Sequence, residues 1–208
     1  MSEDKRPEAP VDGGPDADQG PPEAGRFYTA AWIFYLVLAV LGILWVGYST
    51  GDISASLFID PQLWWFDLLI GVGAGGVLLL GWTLLRNRSS DMRRVEAVMR
   101  ETMGELDGSQ IIAVALMSGF AEELFFRGAM QTSWGWPWAL ILFGILHTGP
   151  EPSFRMWTIF AFAAGGIFAA VTLWRGNLLA AIVAHVLVNG VNMWRLVKNP
   201  PPAIKTKA

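Results

Sequence analysis

The chain has 208 residues, 53% hydrophobic and 16% charged, with eleven Trp and twelve Phe. Soluble domains carry nearer a quarter charged residues, so this composition excludes an ordinary soluble globule and points to an all-α, polytopic membrane protein. There is no basic stripe for nucleic acid, and the absence of Cys excludes disulfides, thiolate metal sites and a Cys nucleophile.

Residues 1–25 hold seven of the eighteen acids in a Pro/Gly-rich stretch too polar to build a core, and read as a disordered tail. It lacks the charged-then-apolar-then-small pattern of a cleaved leader, so the first span is expected to direct insertion itself. A membrane-embedded helical domain follows over 26–197, and a short basic tail over 198–208. Hydropathy predicts about six transmembrane helices, each needing about 20 apolar residues. They lie near 28–48, 64–85, 110–131, 138–147, 156–174 and 178–194, with a polar, amphipathic segment at 86–106. The fourth is short for a crossing and is expected to be tilted or sheltered by its neighbours. Turn chemistry separates the later spans: Trp-Gly-Trp-Pro at 134–137, Thr-Gly-Pro-Glu-Pro at 148–152 and Arg-Gly-Asn at 175–177.

Lys and Arg set the orientation. Lys5, Arg6 and Arg26 precede the first span, five Arg between Arg86 and Arg100 follow the second, and Arg195, Lys198, Lys205 and Lys207 follow the last. Both termini are therefore expected in the cytoplasm, in a membrane that the loop-poor design suggests is a bacterial inner one. Gly71, Gly73, Gly75, Gly76, Gly165 and Gly166 are expected to let helices approach closely. Trp64, Trp65, Trp134, Trp136, Trp138, Trp157, Trp174 and Trp194 fall near span ends, as interfacial anchors would. Arg93 and Arg94 read as a solvated or headgroup-facing surface, with a lid over a cavity as the functional alternative.

The polar residues inside the spans carry the chemistry, because ionisable groups at membrane depth are costly unless paired, wet or functional. Glu123 and Arg127 are four apart with the acid first, the favoured order for a helical ion pair. Glu122 has only Phe125 and Phe126 as i+3 and i+4 neighbours, hence no local counter-ion. Both histidines, His147 and His185, lie in apolar helical segments; a lone His there is more often a packing residue. Depth distinguishes the cases. Glu122 and His147 each sit roughly 18–20 Å from the turn at 134–136, counted at ~1.5 Å per residue. His185 is roughly 13 Å and Asn189 about 19 Å beyond the turn at Gly176 by the same count. Tilt closes a difference of about 5 Å, so residues of three helices can converge at one level.

These residues resemble the CPBP family of intramembrane proteases, which includes CAAX prenyl endopeptidases and bacteriocin-processing relatives. EELFFR at 122–127, FGILH at 143–147 and HVLVN at 185–189 match its three motifs in order, within 110–195. The resemblance implies an endopeptidase acting on a membrane-associated or lipidated protein or peptide. It implies that Glu122 and His147 activate a water, that His185 and Asn189 form an oxyanion hole, and that Glu123, Arg127 and Phe143 support them. A carboxylate in an apolar pocket suits acid–base work, and fixed N–H donors count most where the dielectric is low. Many relatives carry Pro or small residues before the Glu pair; here Met117–Ala121 stand there, Gly119 offering the local loosening, which leaves helix continuity near Glu122 open.

No cofactor is expected. Zinc held by two His and two carboxylates is the less favoured alternative, because the spacing is not His-Glu-x-x-His and the ligands come from separate helices. Membrane lipid is the expected environment, with no nucleic-acid partner. Two rival functions compete: a non-catalytic scaffold or immunity-type protein on the same fold, and a proton relay, against which no inverted repeat of broken helices is found.

Overall fold

The computed structural model describes residues 23–52, 61–149 and 151–198, and every regular element among them is helical. The acidic stretch before residue 23 and the basic one after 198 lie outside the described residues. Helix α1 spans Glu23–Thr50, so the final three residues assigned to the tail are helical instead. It is followed by α2 (Trp64–Arg88), the short amphipathic α3 (Ser90–Met103) and α4 (Gly108–Glu122). The same rod continues without a break as a π-helix, π1 (Glu123–Met130), and a last turn, α5 (Gln131–Trp134). Helices α6 (Trp136–Leu146), α7 (Phe154–Arg175) and α8 (Leu179–Lys198) complete the bundle.

Five of these rods are long and apolar enough to cross a membrane: α1, α2, the composite rod 108–134, α7 and α8. The expected fourth span is instead the 11-residue α6, about 16 Å long and about half a hydrocarbon core. It stops at His147 because the Gly149–Pro152 region cannot continue a helix. The protein is an integral membrane bundle.

Local chemistry sets the element ends. Gly135, at φ 89°, and Gly176, at φ 68°, turn the chain where side chains would be strained. Asp107 and Gln110 form a reciprocal capping box at the start of α4, with Gln110 N–H donating to Asp107 at 2.9 Å and Asp107 N–H to Gln110 at 3.0 Å. Ser89 caps α3 through Met92 N–H. That helix buries Met92, Val95 and Met103 on one face. Its Glu96 is buried too, accepting from Trp82 Nε1 at 3.0 Å and Arg86 Nε at 2.6 Å. Its exposed side is tied to the α6–α7 loop by Arg94 and Glu151 at 2.6 Å.

Helix α8 sits centrally, packed on α2, α4 and α7. Close approach is made by glycine, though not at every position expected. A Cβ on Gly71 would lie 2.7 Å from Ala180 O, one on Gly75 2.9 Å from Leu187, and one on Gly119 2.5 Å from Val186. Gly73, Gly76 and Gly166 meet nothing within 4 Å. Gly119 is therefore a packing contact. At the end away from α3, Asp67 in the first turn of α2 is fully buried and accepts from Arg175 Nε and from Asn177 Nδ2, the latter at 3.0 Å. This clasp fastens α2 to the α7–α8 turn.

The Trp residues divide. Trp64, Trp65, Trp134, Trp136, Trp138, Trp174 and Trp194 are exposed near rod ends, as belt residues are. Trp157 is not among them: it packs edge-on to Trp82, parallel to Phe160 and against His147 inside the bundle.

Candidate active site

A cavity of about 340 Å³ runs into the bundle between α1, α3, α4 and α8. Its wide part is apolar, with Phe27, Val98, Met99, Met103, Met193 and Leu196 on its walls, and its inner end is polar. Glu122, His147 and Asn189 line that end, with Tyr35 and Ser118 beside them. Glu122 is 6% exposed, and its Oε2 makes no hydrogen bond within the protein. That oxygen lies 3.8 Å from His147 Nε2 and 3.9 Å from His185 Nε2. Three separate rods thus bring one unpaired carboxylate and two imidazoles together, as the depth count anticipated.

Hydrogen bonds fix what each ring can offer. His147 Nδ1 is 2.6 Å from Phe143 O, and a carbonyl only accepts, so Nδ1 carries the proton. In the neutral ring Nε2 then presents a lone pair towards Glu122. The same logic fixes His185, whose Nδ1 donates to Glu123 Oε1 at 2.7 Å. His185 Nε2 is consequently a donor only when the ring is doubly protonated, and the Glu123 carboxylate is placed to offset that charge. Phe168 stacks on His185 at 5.0 Å between centroids, which holds the ring plane.

Glu123 is shared. Its Oε1 also accepts from Arg127 NH1 at 2.9 Å, with both side chains essentially unexposed. Arg127 donates a second bond to Gly165 O at 3.2 Å and lies 4.3 Å above the Phe143 ring. The result is a buried Arg127–Glu123–His185 chain. Dispersed, these charges would be very costly at this depth; in sequence they satisfy one another.

The π-helix makes this arrangement available. Helix α4 is regular through Glu122, and the wider turn begins at the next residue. Single-turn π segments often mark functional sites, because the extra residue re-aims side chains that α-geometry would space evenly. Here adjacent Glu122 and Glu123 face different partners: Glu122 the cavity, Glu123 the Arg127–His185 chain.

Asn189 does not touch Glu122. Its Nδ2 donates to Ser118 Oγ at 2.9 Å, and Ser118 donates to Ala115 O at 3.2 Å. One amide N–H of Asn189 is thereby used, and the residue also lines the cavity. A small cavity of about 20 Å³ lies among His147, His185 and Asn189, enough for a single water. Two site residues were not singled out in the sequence. Tyr35 of α1 turns its hydroxyl towards Glu122 and Ser118, and Ser118 orients Asn189. Neither belongs to a motif; Tyr35 in a lipid-facing span and Ser118 among small residues look like packing. Among the described residues, no group of three or more His, Asp or Glu is gathered as a cation cage.

Comparison with known proteins fits this geometry. Residues 106–191 match the family model described as Type II CAAX prenyl endopeptidase Rce1-like. The chain is 27% identical over 135 residues to the uncharacterized protein YpbD of Bacillus subtilis (strain 168), covering 64% of this chain and 68% of that one. No solved structure matches.

Proposed function

We propose that the chain, whose residues 106–191 match the family model of Rce1-like type II CAAX prenyl endopeptidases, is an intramembrane endopeptidase with Glu122 as its acid–base group. The observation that carries the reading is the buried, unpartnered Glu122 oxygen within 3.9 Å of two imidazole nitrogens at the polar end of an apolar cavity.

A water held between Glu122 and the bare Nε2 of His147 gives its proton to the carboxylate and attacks a peptide carbonyl. The resulting oxyanion takes hydrogen bonds from Nε2–H of doubly protonated His185 and from the free amide N–H of Asn189. Donors fixed in a water-poor site are worth most where charge develops. The C–N bond then breaks, the amine leaves with the proton stored on Glu122, and the other product is a carboxylate. Glu123 positions His185 and offsets its charge, and Arg127 holds Glu123 in place, neither touching substrate.

The substrate is an apolar segment of a membrane-associated or lipidated protein or peptide, which fits the lining of the wide part of the cavity. Arg86, Arg88, Arg93, Arg94 and Arg100 lie on the elements at that end, which supports reading it as the cytoplasmic face, with both termini there. No resident metal takes part, so chelators leave the rate unchanged.

Glu122→Gln and His147→Ala test the reading. C-terminal and membrane-released peptides are compared by mass spectrometry between cells carrying the wild type and each variant. Fragments that vanish in both variants while protein levels hold are expected. Unchanged peptide profiles in both would remove the peptidase.

A further inference from the structure

One polar side chain on the wall of the catalytic cavity has no part in the chemistry above. On α8, His185, Asn189, Asn192 and Leu196 follow at steps of four, three and four residues, which sets them within about 60° of one another on one helix face. The last three line the cavity. Other polar groups of the lining are engaged. Thr102 donates to Val98 O at 2.9 Å, Trp82 Nε1 to Glu96 at 3.0 Å, and Ser118 Oγ accepts from Asn189 at 2.9 Å. Asn192 is not. Its Oδ1 is closed off without a hydrogen bond, and its Nδ2 makes none within the protein. The residue is half-buried, so its open surface belongs to the rest of the side chain, which carries Nδ2.

Met193 and Leu196 flank this amide on the same wall, with Met99 and Met103 among the lining of α3. An unpaired amide among such groups is costly, and a packed apolar residue would avoid the penalty. An occupant of the cavity can relieve it. Asn192 stands three residues beyond Asn189, about 4.5 Å along the axis at ~1.5 Å per residue. An extended polypeptide advances about 3.3–3.6 Å per residue. A chain whose scissile carbonyl lies at Asn189 therefore brings a neighbouring carbonyl, about one residue away, level with Asn192.

We propose that Asn192 is a substrate-binding residue whose Nδ2 donates to a main-chain carbonyl beside the bond that is cut. The contact grips backbone and leaves the choice of side chains to the apolar walls. It rests on the peptidase reading above. Full-length wild type and Asn192→Leu are set in phosphatidylcholine nanodiscs. Each is given a synthetic peptide spanning a junction whose fragments vanish in Glu122→Gln cells. Loss of one hydrogen bond to substrate should raise KM about tenfold and leave kcat within about threefold. The melting temperature should hold or rise, since no internal bond is lost. In a second set of peptides, each peptide group flanking the scissile one is replaced in turn by a trans-alkene, which lacks the carbonyl oxygen. One replacement should raise the wild-type KM about tenfold and that of Asn192→Leu less than about twofold. An unchanged KM, a lower melting temperature, or equal costs in both proteins at every position overturns the contact while Glu122-dependent cleavage stands. Absence of any Glu122-dependent junction removes the peptidase and this contact with it.

Discussion

Arg127 is the strongest test of how buried charge is tolerated here. Arg127→Met keeps most of the side-chain volume but leaves the Glu123 carboxylate, unexposed and fully desolvated, with His185 as its remaining partner. Two charge centres about 4 Å apart attract by about 4 kcal/mol at an effective dielectric of ~20. That agrees with the ~3–5 kcal/mol lost when one partner of a buried pair is removed. The bond to Gly165 O and the contact with the Phe143 ring are lost as well. For a chain of this length, about 4 kcal/mol corresponds to a melting-temperature drop of about 8–16 °C. Intrinsic fluorescence of the eleven Trp reports the transition in detergent. The decisive comparison is the double variant Glu123→Gln/Arg127→Met, which removes both charges. It should recover at least half of the loss, because an amide is far cheaper to bury than a lone carboxylate. If the single variant melts within about 2 °C of the wild type, or the double variant is no better than the single, the account of Glu123 as a charge held by Arg127 is wrong.

Two further outcomes follow from contacts elsewhere. Gly119→Ala should destabilise by about 1–3 kcal/mol, since its methyl would sit 2.5 Å from Val186, while Gly73→Ala, facing open space, should be neutral or stabilising by about 0.5–1 kcal/mol; equal melting temperatures for the two would refute the packing assignment. Arg94, hydrogen-bonded to Glu151, holds that carboxyl below its usual range. Its contribution is thus present above about pH 4.3 and lost as pH falls through the lower folded value. The small melting-temperature gap between wild type and Glu151→Gln should accordingly close on acidification from pH 6, and a gap that widens would contradict the pairing.

The parts of this molecule legible in sequence are those set by short-range rules. Apolar runs, Gly135, Gly176 and the charge clusters gave the rods and their ends, because length and turn chemistry are local properties. Counting residues from the turns placed Glu122 and His147 at one level, and their side-chain nitrogen and oxygen lie 3.8 Å apart. What escaped is long-range or subtle. Asp67 finds Arg175 at a separation of 108 residues, and an acid in the first turn of an apolar helix gives no sign of such a partner. The π segment at Glu123–Met130 has no sequence signature. The 11-residue α6 shows that an apolar run signals burial as readily as a crossing, because the surrounding rods can shelter a helix that never reaches the far surface.

The grip on α8 also says which side of the cavity is held fixed. That helix carries His185 and Asn189 and is clamped by bare backbone from two sides, at Gly71 and Gly75 on one and at Gly119 on the other. A rod seated that tightly cannot swing without tearing both seams, so it acts as the fixed jamb. The cavity's other wall is made of α1 and α3, and α1 turns a row of exposed apolar side chains from Ile33 to Leu44 outwards. If the proposed substrate enters from the bilayer, that is the side open to it: past α1 and over Met99 and Met103 of α3, towards His185 and Asn189 on the fixed rod.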